Sequence, residues 1–266
     1  MNCEDFSKLP IYLIGAGNVA SHLGIAFHKS GIAIKSIWSR NIYNAITLSK
    51  IINSGHTDNL NVISNEKAVY IISVPDNVIS DIVKIIGKNN SILIHTSGST
   101  SIDILQSYSD NYGVFYPLQT FSKTKKDIDF NEIPVLIEFS NNLVNELLIS
   151  WCNLIGVKYT NADSEQRMKL HIAAVFANNF TNHMFAIAQE LSETYKIDFN
   201  LLRPLIAETF EKIKSFNPKD IQTGPAIRND EETIKLHLKS LSNNPDLAKI
   251  YSFVSESIIQ MHKKEK

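Results

Sequence analysis

The stretch KLHIAAVFANNFTNHM, Lys169 to Met184, sets His171 and three asparagines among apolar residues suited to a buried helix. An unpaired polar group in such a setting costs about 1–3 kcal/mol. His171, Asn178, Asn179 and Asn182 therefore either satisfy one another or serve a ligand. At about 100° per residue, Asn178 and Asn182 fall within about 20° of His171, and Asn179 lies about 80° away. A histidine beside amides suits proton donation to a held substrate, because an unperturbed imidazole titrates near pH 6.5. The alternative is a histidine bonded to an asparagine or a backbone carbonyl within a core or an interface.

A second constellation is Gly15-Ala16-Gly17-Asn18-Val19-Ala20, which follows the apolar run IYLI and opens a helical pattern. Gly15 permits a tight turn, Gly17 admits a pyrophosphate close to the backbone, and Ala20 lets the helix pack on the strand. The helix N-terminus, with Ala16, Asn18 and Val19 around it, offers free N–H groups to the anion. About 20 residues on, where an NAD-binding unit carries an acid for the ribose hydroxyls, stands Trp38-Ser39-Arg40-Asn41. A carboxylate there would repel a 2′-phosphate, whereas Arg40 pairs with it and Ser39 adds a hydrogen-bonding group. NADP is the expected cofactor.

SVPD, Ser73 to Asp76, and HTSGS, His95 to Ser99, end two further strands. In a doubly wound sheet both loops border the ligand, so Val74 and Pro75 should touch cofactor and Ser97 substrate. His95 is expected to be a core histidine. Near the far end, QTGPAIRNDEET supplies Gly224 in a turn and Arg228, which either clamps a substrate carboxylate or pairs with Asp230 or Glu232.

The elements that must position these groups follow from the hydrophobic pattern. IYLIG, IAIKSIWSR, AVYIISVP, SILIHTS, YGVFYP and EIPVLIEF read as strands, alternating with helical segments such as NVASHLGIAFHKSG and DNVISDIVKIIG. Asp76 is placed to cap the latter and Gly87 to end it. Strands alternating with helices imply a parallel, doubly wound sheet. After LIGVKYT the chain reads as helix throughout, beginning with some 30 residues free of Gly and Pro, or about 45 Å. The expected organisation is an α/β Rossmann domain over residues 1–160 and an all-α domain over 161–266.

Composition bounds the function. A formal net charge of −1 gives no basic field for nucleic acid or an anionic membrane. No apolar run of about 18 residues offers a membrane span. The start MNCEDFSKLP has no apolar leader core, and the two cysteines, Cys3 and Cys152, form no framework, so a cytoplasmic protein is expected. HExxH, His/Cys ligand spacing and GxSxG are absent, which argues against a metal site or a serine hydrolase.

GAGNVA, Ser39-Arg40, SVPD, HTSGS and the long helix together resemble the superfamily of pyrroline-5-carboxylate reductase, ketopantoate reductase and 6-phosphogluconate dehydrogenase. HTSGS, FYPLQTFS, LHIAAVFANNFTNH and QTGPAIRND resemble more closely one bacterial family within it. That family pairs a Rossmann-like NADP-binding domain with a C-terminal domain of unknown function, and has no assigned reaction. The resemblance implies a C-terminal domain like that of 6-phosphogluconate dehydrogenase, packed on a copy of itself in a homodimer.

It also implies a departure. Ketopantoate reductase and the β-hydroxyacid dehydrogenases present a lysine and, four residues later, an asparagine on the long helix. Here Val175 follows His171 by four and Ala173 follows Lys169 by four. The family string aligns best at Asn179, whereas the helical stripe favours Asn178 and Asn182, and the choice stays open. Without the lysine an imine substrate gains ground, since an iminium carries its own charge. The expectation is an NADPH-dependent reductase of a small oxo- or imino-acid, with His171 as proton donor and Ser97 and Asn179 orienting the substrate. The alternatives are a non-catalytic NADP-binding sensor or scaffold and, more remotely, use of a second redox cofactor such as a deazaflavin.

Overall fold

The computed structural model describes residues 9–122 and 129–263; Cys3 and the end of the HKKEK tail lie outside them. Packing divides the chain into two units, residues 1–184 and 185–266. The sequence placed its boundary at 160/161, where the last strand gives way to helix; the packing groups the first part of the long helix with the sheet.

The first unit is built on one eight-stranded sheet. Its strands are β1 (Ile11–Ile14), β2 (Ser36–Trp38), β3 (Gly55–Thr57), β4 (Val69–Ile72), β5 (Ile92–His95), β6 (Asn111–Pro117), β7 (Val135–Phe139) and β8 (Tyr159–Asn161). The order is β3-β2-β1-β4-β5-β6-β7-β8. The first six strands in this order are mutually parallel, with Leu13 opposite Ile37 and Ile71. β7 runs antiparallel to β6, and β8 parallel to β7. The parallel, doubly wound sheet expected from the alternation is present, with one antiparallel pairing, β6 with β7, towards one edge. A crossover helix enforces parallel pairing, and none stands between β6 and β7 among the described residues.

Both faces of the sheet are covered, so the central strands are apolar at every position. Leu13, Ile71, Ile94 and Phe115 face one layer, made by α1 (Asn18–Lys29), α2 (Ile42–Ile52) and α5 (Asn142–Ile155). Tyr12, Ile14, Tyr70, Ile72 and Leu93 face the other, made by the short α3 (Asn61–Ser64) and by α4 (Asp76–Ile86). Each large side chain buried here contributes roughly 1.5–3 kcal/mol.

The long helix begins at α6 (Ser164–Ala174), capped by a reciprocal box in which Asp163 accepts from the Gln166 N–H at 2.8 Å and Gln166 accepts from the Asp163 N–H at 3.1 Å. It then winds as a π-helix over Val175–Phe180 and continues as α7 (Thr181–Thr194). One buried ion pair pins its start to the sheet. Arg167, 1% exposed, reaches Glu138 on β7 and donates to the Thr100 carbonyl at 2.6 Å. Glu138 in turn accepts from the Ser164 N–H at 3.0 Å.

The second unit holds the end of α7, then α8 (Arg203–Ile213), α9 (Glu231–Ser240) and α10 (Pro245–Lys263). Asp230 caps α9 by accepting from Thr233 N–H at 3.1 Å. Among its described residues only Ser192, Ala226 and Ser255 are buried, while Leu201, Leu205, Phe216, Leu236 and Phe253 are each more than 60% exposed. No described helix is long and apolar enough to cross a membrane.

Candidate active site

The turn between β1 and α1 has the form its glycines require. Gly15 sits at φ +120, and a Cβ there would collide with the Ser73 carbonyl, so only glycine fits. A Cβ on Gly17 would meet nothing within 4 Å, which leaves the backbone open to an approaching group. Gly17 is also the N-cap of α1 and provides no side-chain cap, so the first N–H groups of the helix stay available to an anion. Ala20 is fully buried against the strand, and Val19 packs at the core's edge. Asn18 is tied to the loop beyond β6, donating to the Phe121 carbonyl at 2.9 Å.

This turn forms one wall of a cleft of about 210 Å³. Ala16, Gly17, Ser39, Arg40, Val74 and Pro75 all line it, so the structure brings together cofactor residues drawn from three separate loops. Trp38 is fixed by its indole N–H, which donates to the Asp58 carbonyl at 3.0 Å. Ser39 accepts from the Asn41 N–H at 3.3 Å, and Asn41 spends its side-chain oxygen capping α2 at Tyr43. Arg40 lies exposed at the rim. A glycine cradle, free helix N–H groups and a rim arginine without an acid together fit a phosphorylated dinucleotide.

The loop after β5 carries the second half of the site. His95 is fully buried, and its Nδ1 accepts from the Ser97 N–H at 3.2 Å, as a core histidine would. Burial, and then the neighbouring Arg167 charge, hold its pKa down to about 3. Ser97 is turned into its own loop. Its hydroxyl donates to Thr100 Oγ1 at 2.9 Å and accepts from the Ser99 and Thr100 N–H groups at 3.1 and 2.9 Å. Gly98 is buried, and the partly exposed residues of the loop are Ser99 and Thr100.

Above Gly98 two rings meet. Tyr116, near the end of β6, and His171, on α6, share a hydrogen bond between the phenol oxygen and Nδ1 at 3.0 Å, with the rings edge to face. A Cβ on Gly98 would lie 2.7 Å from the Tyr116 ring and 2.8 Å from His171 Nδ1. The pair thus occupies the carboxyl ends of β5 and β6, where ligands cross a doubly wound sheet. Burial, and then the Asp76 charge, push the Tyr116 pKa up, with Arg167 opposing. The phenol therefore keeps its proton at neutral pH. Asp76 does not cap α4, as the sequence suggested; it lies in the first turn and accepts a hydrogen bond from the Ser99 hydroxyl.

The π segment changes the polar stripe drawn from an unbroken helix. Each i→i+5 turn holds one residue more than an α-turn. Counted through the segment, the position seven residues after His171 on an ideal wheel passes from Asn178 towards Asn179, and beyond the segment the position of Asn182 passes to His183. Asn178, Asn179 and Asn182 are all exposed in the single chain, and His171 is half-buried. In the second unit, Gly224 takes φ +107 with open space beside it, and Arg228 is exposed without an ion pair among the described residues. Thr233, through its N–H and then its hydroxyl, holds the Asp230 carboxyl below its usual range, and Arg228 adds a smaller pull.

Tyr116 and the Arg167–Glu138 pair escaped the sequence reading, which gave Gly98 and Ser99 no role beyond their loop and read Asp76 as a helix cap. Tyr116 had a signal: its neighbour Phe115 is a core residue, and strand alternation turns Tyr116 to the other face.

Residues 4–119 match the model of a Rossmann-like domain, and residues 133–258 that of a domain of unknown function, DUF2520. No curated protein matches the chain. Among solved structures, a Bacteroides fragilis protein provisionally named an NADP oxidoreductase is 38% identical, over 96% of this chain and 100% of its own, with a TM-score of 0.89. An imine reductase from Myxococcus stipitatus in complex with NADP+ is 16% identical over 96% of this chain and 93% of its own, at 0.62. Pyrroline carboxylate reductase from Plasmodium falciparum, with NADP bound, is 13% identical over 97% and 98%, at 0.54. The last two likenesses are likenesses of fold.

Proposed function

Because the chain belongs to the family that joins a Rossmann-like domain to the C-terminal domain DUF2520, we propose that it is an NADPH-dependent oxidoreductase that reduces a small oxo- or imino-acid. The observation that carries this reading is the Tyr116–His171 pair seated over Gly98, on the same sheet edge as the glycine cradle. Gly15, Ala16, Gly17, Asn18 and Val19 would hold the pyrophosphate, Ser39 and Arg40 the 2′-phosphate, and Val74 and Pro75 the wall between them. When bound, NADPH supplies a hydride to the carbon of a C=O or C=N group.

The electron pair of that double bond passes to the heteroatom, which then needs a hydrogen-bond donor or a proton. In one tautomer the Tyr116 hydroxyl donates to His171 Nδ1, and the imidazole offers its Nε2 proton. In the other, Nδ1–H donates to the phenol oxygen, and Tyr116 offers its own proton. Either way the pair presents one donor and keeps a proton in reserve, so His171 need not act alone as the sequence suggested. Asn179 orients the substrate amide-to-oxygen, with Asn178 and Asn182 flanking, and the extra residue of the π turn supports Asn179 over Asn178 in that role. Ser97 positions the loop from within. The exposed apolar helices of that unit support a homodimer as the working form.

The test is turnover. Purified protein is mixed with NADPH and a panel of small 2-oxo acids and cyclic imines, and cofactor oxidation is followed by absorbance. The expected result is oxidation by at least one class, reduced about 10²–10⁴-fold by His171→Ala or Asn179→Ala. Tight NADPH binding with no oxidation by any panel member or by a crude metabolite extract would favour a sensor instead.

A further inference from the structure

We infer that the group this site admits is a positively charged nitrogen, an iminium or an ammonium, with the Asp76 carboxylate as its counter-charge. The inference rests on the reductase reading and narrows its substrate class. Around Gly98 the described residues assemble one carboxylate (Asp76), one phenol (Tyr116), one imidazole (His171) and the Ser99 hydroxyl. The cation beside them is spent: Arg167 is 1% exposed and engages Glu138, the Thr100 carbonyl and the Ser164 hydroxyl. Lys169, on the same helix, pairs with Glu165 at 2.5 Å, and both side chains are at least 70% exposed. The first unit therefore offers a substrate one negative charge and no uncommitted positive one at this place.

A carboxylate in the first turn of a helix is stabilised by the helix dipole without further purpose. Asp76 does more than complement a dipole. It reaches across to Ser99, which links the loops after β4 and β5, and its charge is felt by the Tyr116 phenol. An exposed carboxylate that polarises the proton-bearing group of a site repels an anionic reacting group and attracts a cationic one. The chemistry agrees. When hydride adds to the carbon of an iminium, the C=N π pair returns to nitrogen as a lone pair, NADPH becomes NADP+, and a neutral amine results. No acid is consumed in that step, so a site without the customary lysine suffices. The Tyr116–His171 pair then serves to protonate a neutral imine beforehand.

Binding separates this inference from the reductase reading. NADP+ affinity is measured first, in the wild type and in Asp76→Asn. The NADP+-saturated proteins are then titrated calorimetrically with three probes of one shape, cyclopentylamine, cyclopentanol and cyclopentanecarboxylate, at neutral pH. The ammonium is expected to bind the wild type most tightly and to lose about tenfold in Asp76→Asn, while the alcohol is unchanged. A carboxylate that binds more tightly than the ammonium overturns the inference. So does an ammonium affinity that Asp76→Asn leaves unchanged, or no preference among the probes. If NADP+ does not bind, the reductase reading fails, and the same comparison on the unliganded protein still decides the charge preference.

Discussion

Gly98 has no side chain because Tyr116 and His171 occupy the place one would take. That single vacancy lets a strand residue and a helix residue, 55 positions apart, meet at 3.0 Å. His95, three residues earlier, works by exclusion. It is fully buried and its pKa is held at about 3, first by burial and then by Arg167. An unfolded chain takes up this proton near pH 6.5. Between about pH 6.5 and pH 3 the unfolded state therefore binds more protons than the folded one, and stability falls as pH falls. The stabilisation is fully present above about pH 6.5 and declines by up to about 1.4 kcal/mol per pH unit below it. Urea unfolding at a series of pH values should show this acid loss in the wild type and a flatter limb in His95→Gln; parallel limbs would mean that His95 is protonated in the fold.

At the scale of elements, the decisive piece is the π segment Val175–Phe180. Inserting one alanine after Ala177 adds a residue that the π turn does not absorb and should rotate everything downstream by about 100°. The expected result is unchanged NADPH affinity with turnover lowered about 10²-fold, as for a misplaced substrate group. Unchanged turnover would detach Asn179 from the reaction. The glycine turn was legible in the sequence, because Gly15 and Gly17 do work that other residues cannot. Central strands such as VYII were legible because a strand covered on both faces must be apolar throughout. β3 and β8 were not, since GHT and YTN are three residues long and mostly exposed. The direction of β7 has no signature in VLIEF, and the i→i+5 winding has none in VFANNF. Arg167 gave no signal in the sequence, because its partners Glu138 and Thr100 are 29 and 67 positions away. Tyr116 was within reach of strand alternation.

For the molecule as a whole, only Ser192, Ala226 and Ser255 are buried among the second unit's described residues, and apolar exposure on this scale fits the association surface proposed above. A homodimer is the partner its exposed helices support. Charged substitutions at Leu201 and Phe253, 71% and 75% exposed, should convert a dimer to monomer in sedimentation and remove the dependence of Tm on protein concentration. A wild type that sediments as a monomer would remove the dimer from the account. The central claim concerns the cleft that the cradle, Arg40 and the SVPD loop share. It is tested most directly by calorimetric titration with NADPH and with NADH, in the wild type and in Arg40→Ala. The account expects NADPH to bind at least about tenfold more tightly and Arg40→Ala to erase that preference while sparing NADH. Equal affinities in the wild type, or no binding of either, would contradict it.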